Sequence, residues 1–358
     1  MSILDQPEDF KKFDPTNLLK NVDELPLQLE SAWNEVKKVV LPSYYTKARA
    51  IVILGIGGSA IAGYLTKSLI ERKSKIPVFV YSDYDLPEWV DKDCLVIGNS
   101  YSGNTEEPLE AFKKAVSKRA KAISITTGGK FEELAKTNKF PVYLYKYDAE
   151  PRQALGYSLG AILGVLNKVG LINIPDAEFI GAVNALKEIN KKINPDVLVS
   201  ENQAKQIAES LQGKIIVTLS GANLASVAQR FKTQLNENSK QMAFYEILPE
   251  ACHNFIVGLE HPDFIHQKAF VLILSSKYDH QRIAVRKRAI ADILEKNNIL
   301  HDELQMDIPQ SELSEMLSFV YLLDYVSFYV AMLNNVDPRP IENIKYLKKK
   351  LEEAPWRK

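Results

Sequence analysis

Apolar positions in the first half of the chain gather into short uninterrupted runs: AIVILGIG (50–57), PVFVYSD (77–83), DCLVIGNS (93–100), AISITT (122–127) and PVYLYK (141–146). Between them IAGYLTKSLIER, EEPLEAFKKAVSKRA and FEELAKTN carry helical spacing. Runs without period-two polarity predict strands covered on both faces, so the sheet is expected to be parallel, in a doubly wound β/α layer. After Pro151 the stretch ALGYSLGAILGVLNKVG predicts a long helix with small residues recurring on one side and a stop at Gly170. A second cycle starts at KIIVTLSGA (214–222), which opens into NLASVAQRFKTQLNENS. QMAFYEIL (241–248) and FVLILSS (270–276) read as further strands, and QRIAVRKRAIADILEKNN as a basic helix. Both halves thus begin with a buried strand entering a Gly/Ser turn and a helix, which is a duplicated architecture.

The flanks read differently. Residues 1–48 form a polar leader containing one amphipathic helix, with Leu27, Leu29, Trp33, Val36 and Val39 at helical spacing and Pro42 as its stop. Residues 171–199 read as a linker and helix. Near the end, SEMLSFVYLLDYVSFYVAMLNN (314–335) is strongly apolar, but Asp324 within it and polar helices on either side predict a buried helix rather than a membrane span. VDPRP and the helical IENIKYLKKKLEEA follow. The expected organisation is therefore a leader (1–48), a first α/β domain (49–170), a connecting segment (171–199) and a second α/β domain with C-terminal helices (200–358).

A length of 358 residues fits two domains. Lys plus Arg (45) cancels Asp plus Glu (45), so no global field favours a nucleic-acid backbone or an anionic membrane, and any anionic ligand must be held locally. Two cysteines, Cys94 and Cys252, cannot form a disulfide framework, and the first residues lack the apolar run of a signal peptide. Both observations predict a cytoplasmic protein.

The candidate chemistry lies in the turns. Gly55-Ile56-Gly57-Gly58-Ser59-Ala60 joins a strand to a helix, which lets backbone amides and the helix dipole meet an anion such as phosphate. The same segment also satisfies a loose dinucleotide fingerprint, with Asp83 ending the next strand as a possible ribose-binding acid. The third run enters Asn99-Ser100-Tyr101-Ser102-Gly103-Asn104-Thr105-Glu106-Glu107, a hydroxyl-rich loop that a dinucleotide site does not require, with Asn104 and Glu107 spaced as a capping box. Ser100, Ser102 and Thr105 beside Gly57, Gly58 and Ser59 describe a cradle for one phosphate, to which Ser124-Ile125-Thr126-Thr127-Gly128-Gly129 adds a third polar turn. Arg152 is an always-charged bidentate donor suited to an oxyanion. Glu237 ends a helix, where the dipole favours the proton-bearing form that a general base must pass through. His253 is a candidate proton shuttle. His261 and His266 lack zinc-type spacing, and no triphosphate-binding Gly-x-x-x-x-Gly-Lys loop occurs.

Taken in order, GIGGSAIAG, NSYSGNTEE, TTGGK, PRQALGYSLG, LNENSK and the later Pro-Glu and His-Asn pairs (249–254) resemble the bifunctional phosphoglucose/phosphomannose isomerase family over roughly residues 50 to 350. The resemblance implies two sugar-isomerase (SIS) domains, each a mainly parallel sheet flanked by helices. It also implies a homodimer with its active site at the interface. The implied reaction, free of metal and cofactor, interconverts glucose 6-phosphate, and mannose 6-phosphate, with fructose 6-phosphate through a cis-enediol(ate). By that resemblance Ser100, Ser102 and Thr105, lined by Gly57, Gly58 and Ser59, hold phosphate. Arg152 is the cation, Glu237 the isomerising base and His253, from the neighbouring subunit, the ring-opening histidine. The family's C-terminal lysine falls within IKYLKKKL, where Lys348 fits best and Lys345 and Lys349 are the alternatives. Arg339 departs from the small hydroxyl residue of relatives and bears on mannose specificity. A non-catalytic sugar-phosphate-binding SIS protein and a dinucleotide-dependent oxidoreductase are the alternative readings.

Overall fold

The computed structural model describes residues 2–307 and 310–354. The apolar runs become two parallel sheets. The first holds β1 (Ala50–Leu54), β2 (Val78–Tyr81), β3 (Cys94–Ser100), β4 (Lys121–Thr126) and β5 (Val142–Leu144) in the order β2-β1-β3-β4-β5. Strands β1, β3 and β4 are buried along their whole length, as expected of strands covered on both faces. The register pairs Leu54 with Gly98 and Ser100 with Thr126, so the turns after β1, β3 and β4 emerge on one edge.

The second sheet repeats the pattern with β6 (Ile215–Ser220), β7 (Ala243–Ile247), β8 (Ala269–Ser275) and β9 (Leu300–Gln305) in the order β7-β6-β8-β9. Each sheet reverses its winding between its first and third strands, the place where open α/β sheets leave a crevice. Strand β9 has no counterpart in the sequence analysis, because LHDELQ buries only Leu304 and carries no apolar run.

Among the described residues, thirteen α-helices cover these sheets. The leader folds as α1 (Leu18–Asp23) and α2 (Leu25–Val36); α3 (Ala60–Ile70), α4 (Glu106–Ser117), α5 (Gly129–Asn138) and α6 (Leu155–Lys168) serve the first sheet. Helices α7 (Asp176–Ile193) and α8 (Gln203–Leu211) connect, and α9 (Ala225–Glu237), the short α10 (Ile265–Lys268) and α11 (Gln281–Lys296) serve the second. Helix α12 (Glu312–Leu333) and α13 (Glu342–Glu353) come last. Although α12 is long and apolar enough to cross a bilayer, 94% of its most apolar window is buried against the rest of the chain.

The leader helix is shorter than its spacing predicts. It ends at Val36, before Pro42, because Lys168 from α6 donates to the Lys37 and Val39 carbonyls and holds the chain in a tighter turn. Leu27 faces solvent and Val39 lies beyond the helix. Helix α2 lies on the small-residue side of α6, where a Cβ added at Gly156 would stand 2.5 Å from Gln28 Cβ and 2.9 Å from Leu29 N. Replacing Gly156 by Ala is expected to cost about 1–3 kcal/mol in chemical denaturation, because overpacking against α2 outweighs the helix-propensity gain. Gly181→Ala on α7, where the new methyl meets only the tip of Gln310 at 3.3 Å, should be neutral or stabilising by up to about 1 kcal/mol.

Candidate active site

Three turns meet at the crevice between β1 and β3. Gly58 packs with no space for a side chain, since an added Cβ would lie 2.7 Å from the backbone N of Arg152. Ser59 precedes α3 and binds the second turn: its carbonyl accepts from Asn99 Nδ2 at 2.7 Å and its Oγ accepts from the Tyr101 amide at 3.1 Å. Ser100, almost fully buried, accepts from the Gly103 amide at 3.2 Å and donates to Thr105 Oγ1 at 3.4 Å. Ser102 is exposed and accepts from the Asn104 amide. The third turn is fastened to the second by Thr127, whose amide and hydroxyl both donate to the Tyr101 carbonyl, at 3.0 and 2.7 Å. These bonds tie Ser59, Ser100 and Thr105 together across the turns after β1 and β3.

The capping box does not form. Thr105 rather than Asn104 precedes α4, and Asn104 Oδ1 accepts from the Lys130 amide at 3.2 Å instead. Its acceptor is used to join turns rather than to end a helix, leaving Thr105 Oγ1 to share the bond with Ser100.

Arg152 stands in a 3₁₀ turn (Pro151–Gln153) before α6, with only 3% of its side chain exposed. Its Nε donates to Asn238 Oδ1 at 2.8 Å, and Nη2 donates to the Pro338 and Arg339 carbonyls at 2.8 and 3.1 Å. Nη1 lies 3.4 Å from Glu237 Oε2 and 3.9 Å from Glu150 Oε2, yet it is buried without a hydrogen-bond acceptor. Burial pulls the guanidinium's pKa below its ordinary value, and the Glu237 and Glu150 carboxylates oppose that shift. Arg152 thus keeps one buried donor without a hydrogen-bond acceptor, facing the Glu237 carboxylate.

Glu237 is the last residue of α9, with about a quarter of its side chain (24%) open to solvent. The next two residues fix its position. Asn238 Nδ2 donates to Ser327 Oγ at 3.0 Å, and Ser239 Oγ donates to the Ser327 carbonyl at 2.6 Å, so α9 ends against α12. Two turns earlier Arg230 forms a two-pronged pair with Asp324, Nε to Oδ1 at 3.0 Å and Nη2 to Oδ2 at 2.6 Å. Arg230 Nη2 also donates to the Arg152 carbonyl at 3.2 Å.

Arg230 escaped the sequence analysis, and so did the part played by two further residues. Lys240, the last residue of LNENSK, turns its Nζ onto the Glu237 carbonyl at 2.6 Å and the Pro338 carbonyl at 3.2 Å. Burial of that end and the charge of Arg152 pull its pKa down to about 8. Its place within LNENSK was the available signal, masked by the cluster of lysines further on. The other is Asp324, whose role in the sequence was only that of a charge interrupting an apolar helix. Arg339 borders the group too: its carbonyl accepts from Arg152, and its Nε is buried without a partner.

His253 and Lys348 are not brought in. His253 lies exposed in the 3₁₀ turn (Glu250–His253) after β7 and shares no hydrogen bond or ion pair with the Arg152–Glu237 group. Helix α13 buries no residue, and its charged side chains pair along the helix, Lys345 with Glu342 at 2.8 Å and Lys350 with Glu353 at 2.7 Å. His261 and His266 are also apart: one pairs with Asp263, the other with the Asn297 carbonyl.

The equivalent crevice of the second sheet is filled. After β6, Gly221 lies directly under the Asp279 carboxylate, which pairs with Lys287 Nζ at 2.5 Å and accepts from the Ser276 amide at 3.3 Å. Asp279 and Lys287 are nearly inaccessible, at 5% and 2% side-chain exposure. A carboxylate of the chain itself thus stands over the glycine that follows β6.

The chain matches the SIS domain family over residues 44–163 and the family described as the bacterial phospho-glucose isomerase C-terminal SIS domain over residues 200–351. A bifunctional phosphoglucose/phosphomannose isomerase of Caldicellulosiruptor bescii is 39% identical over 94% of this chain and 99% of its own length. The protein of that name from Aquifex aeolicus is 33% identical over 93% of this chain and 99% of its own. Among solved structures, a glucose-6-phosphate isomerase like protein from Thermus thermophilus covers 98% of this chain and 99% of its own length, with a TM-score of 0.59 and 19% identity, a likeness of fold.

Asp324→Ala leaves the buried Arg230 guanidinium unpaired and should cost about 3–5 kcal/mol in urea unfolding. Because Arg230 also holds the Arg152 carbonyl, whatever activity the chain has should fall in folded Asp324→Ala at a temperature well below its transition.

Proposed function

This chain belongs to the bifunctional phosphoglucose/phosphomannose isomerase family, and on that basis we propose how its residues carry out the reaction. It is an aldose–ketose isomerase acting on glucose and mannose 6-phosphates. The substrate phosphate is held by the hydroxyls of Ser100, Ser102 and Thr105 and by the turn Gly57-Gly58-Ser59, and this remote grip aligns the reacting carbons. Glu237 removes the proton from C2 of the open-chain aldose and returns it to C1, so a single carboxylate serves both carbons through a cis-enediol(ate). Arg152 Nη1 takes the acceptor that it lacks in the free chain, the oxygen on which negative charge develops. A proton returned to C2 on one face gives glucose 6-phosphate and on the other mannose 6-phosphate. The observation that carries this reading is the buried, unspent Nη1 of Arg152 at 3.4 Å from the Glu237 carboxylate, across from a turn in which Gly58 touches the Arg152 backbone.

Ring opening is assigned to His253 and Lys348, both supplied across the interface of a homodimer. The support is that neither joins the Glu237 group within one chain, while apolar surface is left uncovered around both. Phe244 on the edge strand β7 is 50% exposed and Val257 beyond His253 is 74% exposed. On α13 Ile344, Leu347 and Leu351 form one exposed stripe at helical spacing, and Lys348, four residues after Ile344, shares that side whereas Lys345 and Lys349 lie off it. The protein works in the cytoplasm, where Cys94 and Cys252 remain free thiols.

Incubation with fructose 6-phosphate in deuterated water should give glucose and mannose 6-phosphates labelled at C2, followed by NMR. Glu237→Gln should abolish turnover and leave substrate affinity within a few-fold; full turnover in that variant would sink the mechanism. Mixing Glu237→Gln with His253→Ala chains, each inactive alone, should restore activity by forming one intact site per mixed dimer. No recovery after subunit exchange would place both groups in one chain.

A further inference from the structure

We propose that Lys240 is a positioning residue that clamps the segment Val336–Ile341 against the C-terminal end of α9, and that the charged form of this clamp is what keeps Glu237 set for proton transfer. The inference rests on the isomerase reading above for its catalytic consequence and on geometry for the clamp itself. Lys240 has a left-handed backbone, φ +55°, which turns its side chain back over the helix that precedes it. Although much of the residue is solvent-exposed, its Nζ donates to the carbonyl of Glu237, the residue whose carboxylate faces Arg152. The same Nζ reaches the Pro338 carbonyl, which Arg152 Nη2 also binds at 2.8 Å. Two cations from different elements thus share one carbonyl of a segment that has no regular structure of its own. That segment is also held by Arg152 Nη2 on the Arg339 carbonyl at 3.1 Å, by the Val336 amide on the Ala331 carbonyl at 3.1 Å and by a long bond from Arg339 Nη2 to Asn21 Oδ1 at 3.4 Å, while the Arg339 amide binds Asp337 Oδ1 within it at 2.9 Å.

The charged groups facing Lys240 are Arg152 from the turn before α6, Asp337 from the clamped segment and Glu237 from α9. Burial and Arg152 disfavour its protonated form, and the two carboxylates favour it, with the balance near pH 8. Below about 8 the side chain is an ammonium whose bonds to both carbonyls are charge-assisted, and above it a neutral amine whose bonds are weaker. The clamp therefore loosens as pH rises through that value.

Lys240→Met and Lys240→Arg separate this role from a merely structural one. In the wild type kcat should fall on the alkaline side near pH 8. In Lys240→Met kcat should be reduced about ten-fold at pH 7, with KM within about two-fold and no alkaline limb. Lys240→Arg should restore kcat and keep it beyond about pH 9, because its guanidinium does not lose its proton there. Hydrogen exchange, read by mass spectrometry on the peptide spanning residues 334–341, should be faster in Lys240→Met than in the wild type at pH 7. Unchanged kcat and exchange in Lys240→Met, or the same alkaline limb in Lys240→Arg as in the wild type, would overturn the proposal. If the wild type shows no isomerase turnover, the reading of function fails by itself. The exchange comparison then decides the clamp alone, equal rates rejecting it and faster rates in the variant upholding it.

Discussion

The buried pair of Arg230 and Asp324 is the constraint on which the site depends. Neither group is more than 4% exposed, so each has lost its water and has the other's charge in its place. The two-pronged geometry fixes α9 against α12 in rotation as well as in distance, and the remaining capacity of Arg230 goes to the carbonyl of Arg152. One ion pair therefore ties the second sheet's helix, the apolar C-terminal helix and the turn leaving the first sheet. Ser327, one turn after Asp324 on α12, continues the arrangement, its hydroxyl accepting from Asn238 and its carbonyl from Ser239. The cation in its turn and the carboxylate at the end of α9 are thus aligned through the packing of α9 on α12, which is what precise proton transfer demands.

The two α/β units share a strand order but not a fate. Both sheets reverse between the strands that leave the crevice, and both have a glycine at the exit of the first strand. In the first unit the space above it is lined by hydroxyls and amides. In the second it holds the Asp279 carboxylate, neutralised by Lys287. A fixed carboxylate repels an anion and already satisfies the cation that would attract one, so the second crevice is unsuited to an anion. The second unit contributes instead through the end of α9 and the residues just beyond it, bringing Glu237 and Lys240 to the first unit's turn.

Much of this was legible in the chain. Strand runs of continuous apolarity, glycine turns and hydroxyl-rich loops are local signals, because each reports the free-energy preference of a few adjacent residues. They located β1, β3, β4, β6 and β8, the three turns of the first crevice and the buried nature of α12. The failures share a cause. Strand β9 is an edge strand whose polar composition hides it, the leader helix stops early because Lys168 arrives from another helix, and Asn104 gives up a cap to meet Lys130. In each case a contact made in three dimensions overrode a local preference.

Periodicity and turn chemistry suffice to form two parallel α/β layers and to put Ser59, Ser100, Thr105, Arg152 and Glu237 at the ends of strands and helices. They do not say which of these residues meet; that is a property of the packed chain. Arg152 finds Asn238 across 86 residues and Pro338 across 186, and Arg230 finds Asp324 across 94. Such pairings depend on how helices pack around one core, and no local pattern encodes a partner at that distance. The same packing left His253 and Lys348 outside the group, and it brought in Lys240, because a left-handed residue after α9 folds its side chain back onto the carboxylate-bearing residue.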